Sequence, residues 1–321
     1  MAYYLGMDSG GSKTFVVITD ETGTIVGKGR GGGGNHQLGK EPAFHSMRES
    51  VRLALEDAKL TKEDITYAVF GLAGADREAD YNILTPFIDT LGFKNSYICG
   101  DAMIAMRAGT TQADGVVLLC GSGLNCVGMN RSGDVFQCGG FGYAFGDFGG
   151  GYGLATEVFR SVIRNWEGRG QATMLTELTL QELGYNSVQA MFNDFLDREL
   201  PIPLQLAKLL MPASQAGDEV AKQILLEQGE ELGLAAAATI ERLNMQQDTF
   251  DIVLAGSVLT RGQDPTIENR ITEVVGKVAP NHGIRKLQVE PLVGAIYMAM
   301  ERAGTEVSSE AYDKLSQFLM D

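Results

Sequence analysis

The stretch Leu5-Gly6-Met7-Asp8-Ser9-Gly10-Gly11-Ser12-Lys13-Thr14 decides the fold. An apolar run enters it, glycines turn it, and the chain re-extends as Phe15-Val16-Val17-Ile18-Thr19. That is the pattern of two β-strands joined by a Gly-rich turn. A partial echo follows at Val116-Val117-Leu118-Leu119-Cys120-Gly121-Ser122-Gly123-Leu124-Asn125-Cys126-Val127. Gly11, Gly23, Gly29 and Gly32 recur at Gly121, Gly133, Gly139 and Gly142, each 110 residues on. Four coincidences in one register, in matching strand-turn-strand contexts, predict two copies of one unit. Two glycine hairpins facing each other can hold a polyphosphate from both sides.

Outward from the first hairpin, strands are predicted over 3–7, 15–19 and 25–28. Phe44, Met47, Val51, Leu55 and Ala58 recur at helical spacing within 42–59. A strand over 67–72, a helix over about 80–91, a strand over 96–99 and a short helix to about 108 complete the first unit. From 114 the three-strand opening repeats, and helices are predicted from 154 to 166, through much of 171–211 and over 219–243. A strand over 250–254, a helix over 265–278, a short strand over 286–289 and helices over 291–302 and 309–319 follow. Strand-strand-strand-helix-strand-helix-strand-helix, read twice, predicts two α/β domains with a cleft between them. The polar patch at 110–113 marks the boundary.

The chain has 321 residues, 44% hydrophobic and 21% charged, enough for two domains with substantial cores. A net charge of −15 excludes a surface built to read a nucleic-acid backbone. Any anionic ligand must then be gripped locally, by backbone N–H groups, a few cations or a metal ion. Asp8 and Lys13 interrupt any signal-peptide core, and no apolar run could span a bilayer, so the chain reads as cytosolic, with no membrane partner. Cys99, Cys120, Cys126 and Cys138 form no C-x-x-C pair and read as reduced core residues; three histidines are not spaced as zinc ligands.

Gly6 and Gly11 have P-loop spacing, but Ser12 separates Gly11 from Lys13 and a strand follows, so a Walker site is excluded. The remaining reading of Gly10, Gly11, Ser12 and Lys13 is a turn whose amides cup a phosphate, with Ser12 adding a hydroxyl. Asp8, at the strand end beside it, is placed to bind Mg²⁺ through water. Gly121-Ser122-Gly123 would be the opposing phosphate turn, and Asn125 offers both donor and acceptor to a polar ligand. Asp101 ends a parallel-type strand where a helix begins, a position that suits an N-cap or the base of a phosphoryl transfer. Asp147 lies in a glycine run, where it reads as a turn former or a ligand contact. Gly256-Ser257 ends a buried strand and could carry a nucleoside.

Taken together, these residues resemble the sugar-kinase/actin/heat-shock-70 ATPase superfold, and more narrowly the BadF/BadG/BcrA/BcrD-type ATPase family and its N-acetylglucosamine kinase branch. The resemblance is most specific at 5–15, 31–36, 70–76, 99–103, 115–153, 252–258 and 291–296. It implies two ribonuclease H-like (actin-like ATPase) domains: 1–112 with a returning segment from about 292 to 321, and 113–291. It implies ATP and Mg²⁺ as cofactors, and Asp101 as catalytic base. Asn35, Leu124, Asn125, Gly140, Phe141, Gly142 and Asp147 would contact the amino sugar, while Gly256, Ser257 and Arg261 would line the adenosine pocket. The implied activity is phosphorylation of N-acetylglucosamine at its 6-hydroxyl by a homodimer. N-acetylmuramic acid, glucosamine or another hexosamine is the alternative acceptor, and a nucleotide-driven activator or sugar sensor the alternative class. The family's usual Gly-Asp-Glu-Gly-Ser is here Gly146-Asp147-Phe148-Gly149-Gly150. The lost carboxylate, and the room expected at Gly150, predict a pocket more tolerant of bulk or negative charge.

Overall fold

The computed structural model describes residues 1–262 and 264–319. Its first half runs β1 (Tyr3–Ser9), β2 (Thr14–Asp20), β3 (Ile25–Gly31), α1 (Lys40–Ala58), β4 (Ile65–Leu72), α2 (Glu78–Asp89), β5 (Ser96–Gly100) and α3 (Asp101–Gly109). The second half opens with β6 (Gly115–Cys120), β7 (Leu124–Met129) and β8 (Val135–Cys138). Helices α4 (Gly150–Trp166), α5 (Leu175–Leu183), α6 (Val188–Asp197), α7 (Leu210–Gln215) and α8 (Glu219–Arg242) follow. The chain closes with β9 (Asp251–Ala255), α9 (Ser257–Thr260), α10 (Thr266–Gly276), β10 (Gly283–Lys286), α11 (Pro291–Arg302) and α12 (Ser309–Leu315).

The strands form two five-stranded sheets, β3-β2-β1-β4-β5 and β10-β9-β6-β7-β8. Read from the other edge, the second order is the first order repeated. In each sheet the opening strand pairs antiparallel with the next and parallel with the strand that follows the first long helical connection. The expected pair of ribonuclease H-like units is therefore present.

The repeat is literal at the second turn of each unit. Asp20 Oδ1 accepts from the amides of Thr22 and Thr24 at 2.9 and 3.0 Å. Asn130 Oδ1 accepts from Ser132 and Asp134 at 3.0 and 2.9 Å. Gly23 and Gly133 follow at φ 78° and 85°, where glycine alone is unstrained. The register slips by one residue at the glycine turns, where Gly10 and Gly121, not Gly11 and Gly121, occupy the same place. The Gly10 and Gly121 carbonyls accept from the amides of Gly34, in a loop, and Gly151, in the first turn of α4, both at 2.8 Å. The other two coincidences do not correspond, since Gly29 lies inside β3 whereas Gly139 follows β8.

Alternation along β1 sends Leu5 and Met7 into a core under α1 and α2, and Tyr4 to the opposite face against α3 and α11. That second core also takes Val117 of β6, Val127 of β7 and Val253 of β9, so α3 and α11 form a layer between the two sheets. A third core, beneath α4 and α8, holds the other face of β6 through Val116, Leu118 and Cys120.

Two elements start three or more residues from the expected position. The last strand is 283–286 rather than 286–289, because backbone pairing to β9 sets it: Gly283 to Lys286 lie opposite Asp251 to Leu254, and Arg285 Nε reaches Asp251 at 2.6 Å. This edge strand carries one apolar side chain, so side-chain alternation gave no signal. Helix α4 begins at Gly150 rather than 154. Its first amides are taken by Gln228 Oε1 (2.9 Å to Gly150) and by the Gly121 and Ser122 carbonyls (2.8 and 3.0 Å to Gly151 and Tyr152). These caps offset the poor helical propensity of Gly-Gly-Tyr-Gly.

Candidate active site

Asp8 lies on the same face of β1 as Tyr4 and Gly6, near the strand's carboxyl end, and so emerges where α3 and α11 begin. Asp101 is the first residue of α3, and Gly100 occupies the N-cap without a side-chain cap bond, which sets aside the N-cap alternative for Asp101. Burial, then the charges of Asp101 and Glu290, push the Asp8 carboxyl up to about 7 against the pull of Lys13. Burial first, and then Asp76, also raise Asp101, while the amides of Ala102 and Asp101 itself pull it down. Four carboxylates from β1, the turn after β4, the start of α3 and the N-cap of α11 thus act on one another at the carboxyl edge of one sheet.

Among the described residues no three His, Cys, Asp or Glu side chains form a ready metal cage. A crowded, partly desolvated carboxylate without a cage fits an ion that keeps much of its water and takes other ligands from phosphates, which is how Mg²⁺ binds. Asp8 would hold it, and the ion would supply charge neutralisation at the phosphates.

The first glycine turn is braced from below. Gly10 N–H donates to the Lys13 carbonyl at 2.9 Å, and Ser9 Oγ and Thr14 Oγ1 bond at 3.0 Å across its base. Gly11, Ser12 and Lys13 are exposed, with Lys13 Nζ 5.0 Å from the Phe15 ring centroid. The opposing turn is closed by Gly121 N–H to the Gly123 carbonyl at 3.0 Å.

Beside this second turn, Gly121, Ser122, Ser257 and Arg261 share a cavity of 470 Å³ with Leu204, Lys208 and Met211. Gly256 flanks it, packed against the Cys120 carbonyl at the end of β6. Across the N-terminus of α4, a 600 Å³ cavity is lined by Ser122, Gly123, Leu124, Gly140, Gly142 and Asp147, with Phe148 and Tyr152 in its wall. Phe141, at 42% exposure, stands outside both cavities. Asp8, Gly10 to Lys13, Asn35 and Asp101 line neither cavity; they belong to the first sheet's side of the cleft.

Asn125 carries the clearest sign of a missing ligand. Its Oδ1 is buried with no hydrogen-bond partner among the described residues, and its Cγ lies 3.1 Å from where a Gly140 side chain would project. A buried acceptor is normally satisfied, so a ligand O–H or N–H is its natural partner. Asn35 Oδ1 accepts from the Gln37 amide at 2.9 Å and packs beside Gly74 in the turn after β4. Asp147 behaves first as a turn former: its carboxylate accepts from Gly140 N–H at 3.1 Å and from Gly142 N–H.

The room expected at Gly150 is absent. Its φ is 68°, and a Cβ there would lie 2.6 Å from the Gly123 carbonyl carbon. The missing side chain lets α4 press on the Gly121-Ser122-Gly123 turn and does not widen the 600 Å³ cavity. Phe148 does face the 600 Å³ cavity.

Two residues that matter here escaped the sequence reading. Asp76 ends the β4 turn much as Asp101 ends β5, and the strand-end rule that singled out Asp101 applies to it equally. Burial holds the Asp76 carboxyl above its usual range, and Gln137 of β8 pulls it partly back; a lone glutamine on a polar strand carries no such signal.

A profile of the BadF/BadG/BcrA/BcrD ATPase family matches residues 5–299. The chain belongs to this family. An N-acetylmuramic acid/N-acetylglucosamine kinase of Clostridium acetobutylicum is 30% identical over 81% of this chain and 86% of its own length. An N-acetyl-D-glucosamine kinase of Dictyostelium discoideum is 26% identical over 92% of this chain and 97% of its own. Among solved structures, a candidate N-acetylglucosamine kinase of Chromobacterium violaceum superposes with a TM-score of 0.65 at 20% identity, covering 93% of this chain and 99% of that one. It shares the two-unit fold.

Proposed function

We propose that this family member is an ATP-dependent amino-sugar kinase that transfers the γ-phosphoryl group of ATP to the 6-hydroxyl of N-acetylglucosamine. The observation that carries the reading is the placement of Asp101 beside Asp8 at the strand ends of one sheet, with the orphaned Asn125 Oδ1 on the other sheet. In this reading 1–112 with about 292–321 forms one lobe and 113–291 the other. Ser257, Arg261 and their cavity take the adenosine, the two glycine turns take the phosphates, and Asp8 holds Mg²⁺. Asn35, Asn125 and the 139–147 loop read the sugar. Asp101 accepts the proton of the 6-hydroxyl as its oxygen bonds to the γ-phosphorus and ADP leaves. Phosphoryl transfer passes through a loose transition state, so positioning and charge stabilisation supply most of the rate.

The relatives' printed activities support this acceptor class, and the Clostridium relative also favours N-acetylmuramic acid as a second acceptor. We expect a cytoplasmic homodimer, which sedimentation and fractionation would check. No helix among the described residues is long and apolar enough to cross a membrane. The deciding experiment is ADP release across N-acetylglucosamine, N-acetylmuramic acid, glucosamine and glucose, with phosphorus NMR of the product. The highest kcat/KM should fall on N-acetylglucosamine. ADP release without any sugar phosphate would replace the kinase reading with that of a nucleotide-driven activator.

A further inference from the structure

One buried carboxylate on the first sheet's side of the cleft has no part in the chemistry above. Asp80 stands in the first turn of α2 and is 2% exposed. Burial alone would raise its carboxyl; bonds from Arg77 and Gln37 outweigh that and hold it below the usual carboxylate range. An ionised carboxylate only accepts, and donors surround this one. Oδ2 accepts from the backbone amide and the Nε of Arg77 at 3.1 and 3.0 Å. Oδ1 accepts from Arg77 Nη2 at 3.2 Å, from His36 Nε2 at 3.2 Å and from Gln37 Nε2 at 3.3 Å.

Capping of α2 accounts for the bond from the Arg77 amide. The bonds from His36 and Gln37 come instead from the loop that carries Asn35, 44 and 43 residues away in the chain. Within that loop Gln37 N–H donates to Asn35 Oδ1 at 2.9 Å, and Leu38 N–H to the Asn35 carbonyl at 3.1 Å. Gln37 Nε2 also donates to the Gly74 carbonyl at 3.3 Å. Gly74 has φ 82°, and a Cβ there would lie 2.9 Å from Asn35 Oδ1. The same 74–77 turn abuts the strand end before Asp101. The Ala75 carbonyl oxygen and Asp76 Oδ1 lie 3.4 and 3.9 Å from the Cβ position of Gly100.

We propose that Asp80 is a positioning residue for the phosphoryl transfer: its carboxylate locks the Asn35 loop onto the 74–77 turn and so fixes Asn35 relative to Asp101. His36 is the principal arm of the lock. Its side chain is buried with that of Asp80, whereas Gln37 is exposed, and a bond shielded from water is the stronger one. Its Nδ1 has no partner among the described residues, so the bond to Asp80 is the polar contact that orients the ring. The proposal rests on the kinase reading given above.

The test uses the full-length protein and the variants Asp80→Asn, His36→Leu and His36→Gln, with Asp80→Asn and His36→Leu also combined. Asp80→Asn and His36→Leu should each raise KM for N-acetylglucosamine by about tenfold, the consequence of losing a bond to a charged group, and leave KM for ATP unchanged. Amide hydrogen exchange over residues 34–38 of the sugar-free protein should accelerate in the same two variants. His36→Gln, whose amide nitrogen can take the place of Nε2, should keep a KM near that of the wild type. The double variant should be no worse than Asp80→Asn alone, because both changes break one contact. A lower Tm with unmoved sugar KM in Asp80→Asn and His36→Leu would leave Asp80 a helix cap and overturn the proposal. Effects that multiply in the double variant, or a His36→Gln as poor as His36→Leu, overturn it too. If Asp80→Asn does not fold, His36→Leu against His36→Gln decides alone. Wild-type protein that makes no sugar phosphate overturns the kinase reading, whereas normal wild-type turnover with kinetically silent variants overturns the lock only.

Discussion

Asp8 and Asp101 are both half-buried aspartates, and each reports a different need. Burial and then Asp76 raise the carboxyl of Asp101, the direction that strengthens a proton acceptor, while its helix-opening amide bonds limit that rise. Asp101→Asn should retain MgATP binding and lose about 10²–10⁴-fold in kcat, the usual range for removing a general base; near-normal turnover at saturating sugar would end the assignment. Asp8 is under strain that a divalent cation would relieve. Its folded value of about 7 stands above the ordinary 3.8, so the folded protein holds a proton that the unfolded chain gives up. The stabilising contribution of that proton is complete below the ordinary value and is lost as the pH rises through the folded one. In metal-free buffer at pH 8, Asp8→Asn should therefore raise Tm by roughly 2–4 °C, while a Mg²⁺ titration at fixed ATP should show weakened productive use of the ion. A variant no more stable than wild type, with an unchanged Mg²⁺ response, would place the ion elsewhere. Asp8, Asp101 and Asn125 were legible because each stands beside a glycine turn or a strand end. Gln137 was not, because what distinguishes it is its pull on the Asp76 carboxyl of the other sheet, more than sixty residues away in the chain.

At the scale of elements, the repeated strand order was legible from alternation and turn residues, and the two misplaced boundaries share a cause. Both β10 and the first turn of α4 are set by backbone bonds to another element, which side-chain pattern does not encode. The α4 case changes what its glycines mean. Gly150→Ser should displace the Gly123 backbone, raise KM for ATP several-fold and cost about 1–3 kcal/mol of stability, as overpacking does; thermal melts and KM for ATP check it. A neutral result would mean that α4 can back away from the turn. Phe148→Glu alone belongs to the sugar side. It should depress use of N-acetylmuramic acid far more than use of N-acetylglucosamine, because like charges in a pocket discriminate. Equal effects on the two sugars would discard Phe148 as a determinant.

Across the whole molecule, the layer of α3 and α11 makes one body of two sheets. Gly294 lets α11 approach α3 so closely that a Cβ would lie 1.9 Å from the Ile104 carbonyl oxygen. Arg107, 1% exposed, fastens the same layer through Glu301 at 2.7 Å, the Thr110 carbonyl at 2.8 Å and the Tyr312 hydroxyl. Arg107→Ala should cost about 3 kcal/mol, since breaking a buried pair strands its partners, and both halves should still melt in one calorimetric transition. Two separate transitions would show that the layer does not couple them. The position of α11 also has a consequence for biosynthesis. Residues 291–302 are synthesised long after the first sheet, yet with α3 they cover the face of that sheet which carries Tyr4, Val17 and Val69. Until then that apolar face is only partly covered, by α3, so a fragment ending at residue 112 should bind hydrophobic dyes and aggregate where the 321-residue chain does not.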